Sequence, residues 1–528
     1  MRCPLSVIVL SFYTLAKRGF TEKMPGRNKF DSYVVQVCQP GHHLAQPLRR
    51  HPIAKAFAHR SSQTSGVPKL NAQTELQKNA LGVFHSTVMG IAGTAPAFTV
   101  AVSTAAILAA VGVQAMGSLL YCGLIMLGIM FAFVNLNRTI PDAGAAFAWV
   151  GKIFGPSWGF MCGWALLVAS LVFMVSATVP AATATLLIVA PHLAESTLWC
   201  SIVAALWLAV VTAIVLRGIL HAAVFQVILL GTETIIVLVL IFAGLGKFWN
   251  HPIHVPSWDW ISPFAFTPET FVSGALVAVF FYWGWDVTLN LGEESEEGAE
   301  PASGRGAVLA MANTMATFLI LTLVILISLT DSEVSAASSN VLYTLADKLL
   351  PHPLSYIAVM STMLSTVGAI ETQIIQFSRS LFAMSRAGMM HERYAQVNPQ
   401  WHTPVAATLV IWAIGTVMIF ASSFSSSVSR ILTDSVSAIG LDICFYMGIT
   451  GIACAWHFRS KMSSGFGTAL THVVWPGFAG VFLLVVGFYS FKTLQLSALV
   501  IGIGGLALGL VPLYTHRRAE RRALVAGH

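Results

Sequence analysis

From Leu81 onward the chain repeats one pattern, a run of roughly 20 apolar residues followed by a polar turn. A run of that length crosses about 30 Å of hydrocarbon as a helix. Barrel strands would alternate polar and apolar positions, and these runs do not. The pattern predicts an all-α polytopic membrane protein of twelve spans. They lie near 81–111, 115–136, 156–185, 197–216, 221–246, 270–291, 306–330, 353–384, 404–422, 431–457, 469–490 and 495–515. The third and eighth are long for one crossing, which predicts tilt or protrusion.

Two runs are interrupted. The first holds Gly90-Ile91-Ala92-Gly93-Thr94-Ala95-Pro96, and the sixth holds Phe281-Tyr282-Trp283-Gly284-Trp285-Asp286. Glycine lets the backbone leave helical dihedrals, Thr94 suits an N-cap, and Pro96 suits a first helical turn. One half-helix is therefore expected to stop near Gly90 and another to start near Thr94. Its N-terminus would offer N–H groups and a positive dipole end to a carboxylate. A simple Gly/Pro kink would read the same. In the second break Asp286 puts a carboxylate at membrane depth, where charge is costly and usually functional. Tyr282, Trp283 and Trp285 could close over a small solute, or merely pack. A matched pair of broken spans in two halves of a membrane protein points to a transport site.

Composition agrees with the pattern. Of 528 residues 56% are apolar and 10% charged, against about a quarter charged in soluble proteins. The net charge of +7 sits in tails and short loops, so it argues orientation and not a nucleic-acid partner. With the N-terminus inside, 25 of the 29 Lys and Arg residues fall on the cytoplasmic side, leaving Lys247, Lys348, Arg430 and Lys492 outside. The positive-inside rule then places both termini in the cytoplasm. Residues 1–79 form a basic segment without sustained periodicity. It is expected to be a disordered cytoplasmic tail, or an upstream stretch preceding a start near Met24 or later. In the loop 247–269, Trp258 and Trp260 suit a membrane interface. The seven cysteines form no CxxC pair and read as buried small side chains.

Other polar residues inside spans are Glu233, Glu371 and Asp442, with Ser361, Thr362, Ser365 and Thr366 clustered in the eighth. Carboxylates there can carry protons and hydroxyls can help hold a cation, while helix–helix bonding is the plainer reading of the hydroxyls. Asp286, Glu233, Glu371, Ser365 and Thr366 are the coupling candidates. His85 reads as structural. The acidic run Glu293-Glu294-Ser295-Glu296-Glu297 reads as a solvated loop. Gly502-Ile503-Gly504-Gly505 lies in an apolar span and reads as packing. No Walker A lysine or HExxH motif occurs, so ATP-driven transport within this chain, a metal and a cofactor are not expected.

Several separated motifs resemble the amino acid–polyamine–organocation permeases over about Leu81 to Tyr514. They are the first break, Asn137 to Phe147, Phe154-Gly155-Pro156 to Trp164, Phe280 to Asp286 with Glu293-Glu294, and Ser378 to Gly388 with Thr403-Pro404. The resemblance implies a five-plus-five inverted repeat of the leucine-transporter type, with broken first and sixth helices. Repeat one would cover about 81–246, repeat two about 270–457, and two extra helices about 469–515. Residues 80–515 would then be the permease domain and 516–528 a cytoplasmic tail. It also implies that Gly90, Ile91, Ala92, Gly93 and Thr94 meet a substrate carboxylate. Phe281, Tyr282, Trp283, Gly284 and Trp285 would receive the amine and cover the side chain. Ala95-Pro96 departs from the usual glycine-rich turn, and a fifth-helix lysine of some proton-coupled members is missing.

The expected function is secondary transport of amino acids or related amines by alternating access in the plasma (inner) membrane. It would be driven by a proton gradient, solute exchange or sodium, in that order. An integral-membrane enzyme would instead need a polar cluster at one face, for instance around Asp142 or His391. A channel would conduct without saturation.

Overall fold

The computed structural model describes residues 75–194, 196–298, 301–337, 340–424, 428–492 and 494–526. Most of the 1–79 segment therefore lies outside the described residues. Its last part is docked, with Leu76 buried against Ala143, Phe382 and Val397.

Helices occupy most of the described chain and no strand longer than an isolated bridge between Leu81 and Ser295 occurs there. In order they are α1 (Val83–Thr94), α2 (Pro96–Val111), α3 (Ala115–Thr139), α4 (Ala146–Phe154), α5 (Pro156–Val189), α6 (Thr197–Leu216) and α7 (Ile219–Phe248). Next come α8 (Pro268–Phe281), α9 (Val287–Asn290), α10 (Ala302–Ser328), α11 (Asp331–Ala337), α12 (Val341–Leu349) and α13 (Ile357–Arg386). The remainder are α14 (Val405–Ser422), α15 (Val428–His457), α16 (Phe466–Ala469), α17 (Trp475–Ser490), α18 (Leu496–Leu508) and α19 (Leu510–Ala526). Among the described residues ten helical stretches are long and apolar enough to cross a membrane, and α8 is a shorter apolar helix. One of the ten, Val83–Thr139, spans 57 residues across the Ala95 break and a turn at Gly112–Gln114.

Helix starts follow local chemistry. Pro96, Pro156 and Pro268 open α2, α5 and α8, where a missing N–H costs nothing. Thr267 and Thr270 cap α8 reciprocally. The helices α15 and α17 approach closely through Gly448, Gly451 and Gly480, whose missing side chains admit the facing backbone.

Three expectations change. Helices α4, α11 and α12 lie in stretches read as loops. In α12, Val341, Leu342, Leu345 and Ala346 form a buried stripe too short to stand out from its polar neighbours. The final helix continues to Ala526, into the stretch read as a tail from residue 516. Trp258 is exposed, but Trp260 is buried, because the loop 247–269 folds onto α3 through Gln114 Nε2 to Ala265 O (2.7 Å) and Tyr121 to Ile261 O.

Candidate functional site

The first break falls later than expected. The helix runs through Gly90 and Gly93 and turns at Ala95, whose φ of 45° is left-handed. The cause is Pro96, which sterically disfavours a right-handed helical residue before it. Local bonds hold the turn. Thr94 Oγ1 donates to Ile91 O (2.7 Å), Ala95 N to Ala92 O (3.1 Å), and Thr99 Oγ1 to Thr94 O (2.8 Å). Thr94 thus closes α1 and does not cap α2. The free N–H of Ala97 in α2 donates to Glu233 Oε1 of α7 at 2.9 Å, and Ser365 Oγ of α13 donates to the same oxygen at 2.8 Å. The chain's own carboxylate therefore occupies the anion position at this helix start.

The second break matches its expected place. Helix α8 ends at Phe281, Gly284 takes φ 108°, and the short α9 begins at Val287. The two breaks meet. A Cβ added at Gly93 would overlap the carbonyl oxygen of Gly284, and one at Gly284 would overlap that of Gly93. Gly90 packs equally tightly on Ala310 and Thr288.

The aromatic residues of the second break diverge. Tyr282 donates its hydroxyl to Leu119 O of α3 (2.9 Å), and Phe281 packs edge-on to Phe318 at 5.1 Å. Trp285 packs its ring against Phe133 of α3. Only Trp283 turns toward a polar cluster. Its ring meets Phe173, which in turn meets Phe98 of α2, and its Nε1 donates to Tyr446 Oη of α15 at 2.8 Å.

Tyr446 donates to Asp286 Oδ2 (2.9 Å), and Gln376 Nε2 of α13 donates to the same atom (2.8 Å) and to Asn290 Oδ1 (3.2 Å). Asn290 Nδ2 continues to Ala143 O (2.7 Å) and Ser380 Oγ (3.1 Å). Among the described residues no side-chain donor reaches Asp286 Oδ1 or the carboxylate oxygens of Glu371 on α13 and Asp442 on α15, all buried. Asp442 lies one helical turn from Tyr446, on the same face. Thr366 bonds back into its own helix at Thr362 O (2.6 Å), as hydroxyls in helices commonly do.

The acidic run after the second break is solvated only in its second half, where Glu296 and Glu297 are exposed. Glu294 is fully buried and accepts from Arg379 Nε (2.9 Å) and Nη2 (3.0 Å) in a bidentate pair. Glu293 accepts from Arg386 Nη1 (2.9 Å) and Nη2 (2.5 Å) and from Ala143 N (2.8 Å), and Arg386 also reaches Asp142 (3.1 Å). The sequence reading missed this because each partner is 85 or more residues away. The signal was Arg379 itself, a cation amid Phe377, Leu381 and Phe382, which needs a buried counter-charge. Burial pushes the Glu293 carboxyl up, but the Arg386 bonds and the Ala143 N–H outweigh it and hold it below its ordinary value. Asp142 goes the other way, since burial exceeds the pull of the same arginine. Glu293→Gln is thus expected to cost about 1–3 kcal/mol, and Asp142→Asn less, in thermal melts at pH 7.

The fold and site together define an integral membrane protein whose two interrupted helices meet in the protein core. The chain belongs to the amino acid permease family, whose model matches residues 81–506, within the amino acid–polyamine–organocation superfamily. It is a transporter and not an enzyme. It is 22% identical over 419 residues to a low-affinity putrescine importer of Escherichia coli, covering 74% of this chain and 83% of the relative. It is 23% identical over 312 residues to a serine/threonine exchanger of Bacillus subtilis, covering 57% and 67% respectively. A human cystine/glutamate transporter is 23% identical over 319 residues, covering 58% and 60%.

Proposed function

We propose that this protein is a secondary transporter of amino acids or related amines that works by alternating access at the paired breaks. Counting α1 with α2 as one interrupted crossing, α3 as the next, and α8 with α9 as another gives the twelve crossings of a five-plus-five inverted repeat with two added helices. Both termini then lie in the cytoplasm, and a plasma or inner membrane suits a permease of this class.

The observation that carries the reading is the meeting of Gly93 and Gly284 beside buried carboxylate oxygens that lack side-chain donors among the described residues. A buried acceptor without a donor is costly, so it is retained where a ligand or proton supplies one. Asp286 Oδ1 would receive an ammonium group, while Tyr446 holds the other carboxylate oxygen and Trp283 holds Tyr446. Main-chain groups at Ile91 to Thr94 would take a carboxylate beside the glycine contact. The similarity to a putrescine importer and to amino acid exchangers supports an amine-bearing substrate. Asp286→Asn can keep both bonds to Oδ2 while removing the charge. It should raise the KM for amine uptake about tenfold or more without lowering the melting temperature. Unchanged KM across a panel of labelled amino acids and polyamines in proteoliposomes would remove Asp286 from the site.

Glu233 joins α2, α7 and α13 through one oxygen, which supports a role for it in coupling a proton to their separation. Glutamine can accept the same two bonds, so Glu233→Gln should fold normally. If Glu233 carries the coupling proton, uptake by the variant becomes insensitive to an uncoupler that stops the native protein. Retained sensitivity would assign Glu233 to structure alone.

A further inference from the structure

A cavity of about 410 Å³ lies away from the breaks, between the end of α3, the start of α10 and the turn Leu470–Val474 ahead of α17. Arg138 and Arg305 line it together with the apolar Phe131, Val134, Val308 and Leu309 and a few small or amide side chains. Both arginines are exposed, and neither has a carboxylate within ion-pair distance among the described residues. Arg305 sits in the first turn of α10, which has no capping side chain, so its charge adds to a positive dipole end. Lys461 Nζ lies 4.8 Å over the Phe458 ring, which meets His472 of the turn Leu470–Val474 edge-on at 5.3 Å, so a third cation is in the neighbourhood. The cavity wall is held in place by two amide bonds, Asn135 Nδ2 to Thr471 O (3.0 Å) and Asn137 Nδ2 to Ser303 Oγ (3.0 Å).

Among the described residues no carboxylate pairs with these two cations and the helix N-terminus, which leaves room for an anion from elsewhere. The wall continues in one direction only. Val308 and Leu309 follow Arg305 along α10 and are themselves exposed on the apolar helix surface. Val134 and Phe131 lie one and two turns from Arg138 toward the middle of α3. An occupant with an anionic head and an apolar body matches this gradient, whereas a free anion would leave the apolar wall unused.

We propose that this cavity binds an anionic phospholipid, its phosphate between Arg138 and Arg305 and an acyl chain along Phe131, Val134 and Leu309. Basic pockets between membrane helices commonly take such headgroups, and each arginine near a lipid surface contributes roughly a fivefold gain in affinity.

The test uses the full chain purified in neutral detergent, with lipid retention read by native mass spectrometry. Palmitoyl-oleoyl phosphatidylglycerol and phosphatidylcholine are the two probes. The native protein should retain phosphatidylglycerol in preference. Arg138→Gln and Arg305→Gln together should lower that retention about tenfold or more at an unchanged melting temperature. Arg217→Gln, an exposed cation at the end of α6, should not. Millimolar inorganic phosphate should fail to displace the lipid. Equal retention by the double variant, equal loss in Arg217→Gln, or displacement by inorganic phosphate would each overturn the proposal.

Discussion

Gly284→Ala is expected to abolish uptake and to lower the melting temperature. Two effects add at this residue. Its φ of 108° is a conformation that an L side chain rarely adopts, at a cost of roughly 1–3 kcal/mol. The new methyl would also overlap the carbonyl of Gly93, and overpacking of this kind costs about 1–3 kcal/mol more. Gly388→Ala separates the two, because Gly388 has φ 76° and nothing within 4 Å of an added Cβ. That control should lose some stability and keep its uptake. Gly93→Ala should behave like Gly284→Ala without the dihedral strain, since it lies within α1. Full uptake by both variants would show that the meeting of the breaks is incidental to transport.

Arg379→Met should be strongly destabilising, at about 3–5 kcal/mol, because it leaves Glu294 charged and buried without a partner. The pair ties α13 to the segment behind the second break. That segment in turn holds the chain ahead of α1, through Ala80 N and Leu81 N to Glu294 O (2.8 and 3.1 Å). Replacing both partners, Arg379→Met with Glu294→Met, should recover most of the loss, since an apolar pair carries no desolvation cost. Thermal melts of the purified single and double variants check this. A double variant no more stable than the single one would mean that the cost lies in shape and not in the unpaired charge.

How far the sequence carried depended on how local each cause was. Helix α6 occupies the residues its apolar run marks, 197–216, because twenty greasy residues between polar turns leave one outcome in lipid. The second break was legible because Gly284 sits among bulky aromatics, where a glycine has no packing role of its own. The first was placed a turn too early. Gly90 and Gly93 looked like hinge residues, yet both are helical and serve close approach to Thr288, Ala310 and Gly284. The hinge is the residue before proline. The long-range partners were out of reach. Nothing near Asp286 in sequence announces Tyr446 or Gln376, and the acidic run beside Leu291 reads as a loop until the arginines of α13 are placed over it.

The aromatic side chains show the same limit. Four candidates, Phe281, Tyr282, Trp283 and Trp285, share a segment, yet Phe281 and Tyr282 pack on Phe318, Trp283 on Phe173 and Trp285 on Phe133. Only Trp283 joins the carboxylate cluster, through a row that runs Phe98, Phe173, Trp283 and Tyr446. This row links α2, which follows the first break, to α15 through the second break.

The most direct test of transport at the paired breaks is uptake of labelled putrescine and a panel of labelled amino acids into proteoliposomes. The purified native protein and its Asp286→Asn variant would be compared over a range of concentrations. The account predicts saturable accumulation of at least one amine-bearing solute by the native protein, and at least a tenfold poorer KM for it in the variant. No accumulation of any solute, accumulation that never saturates, or identical curves for the two proteins would contradict it.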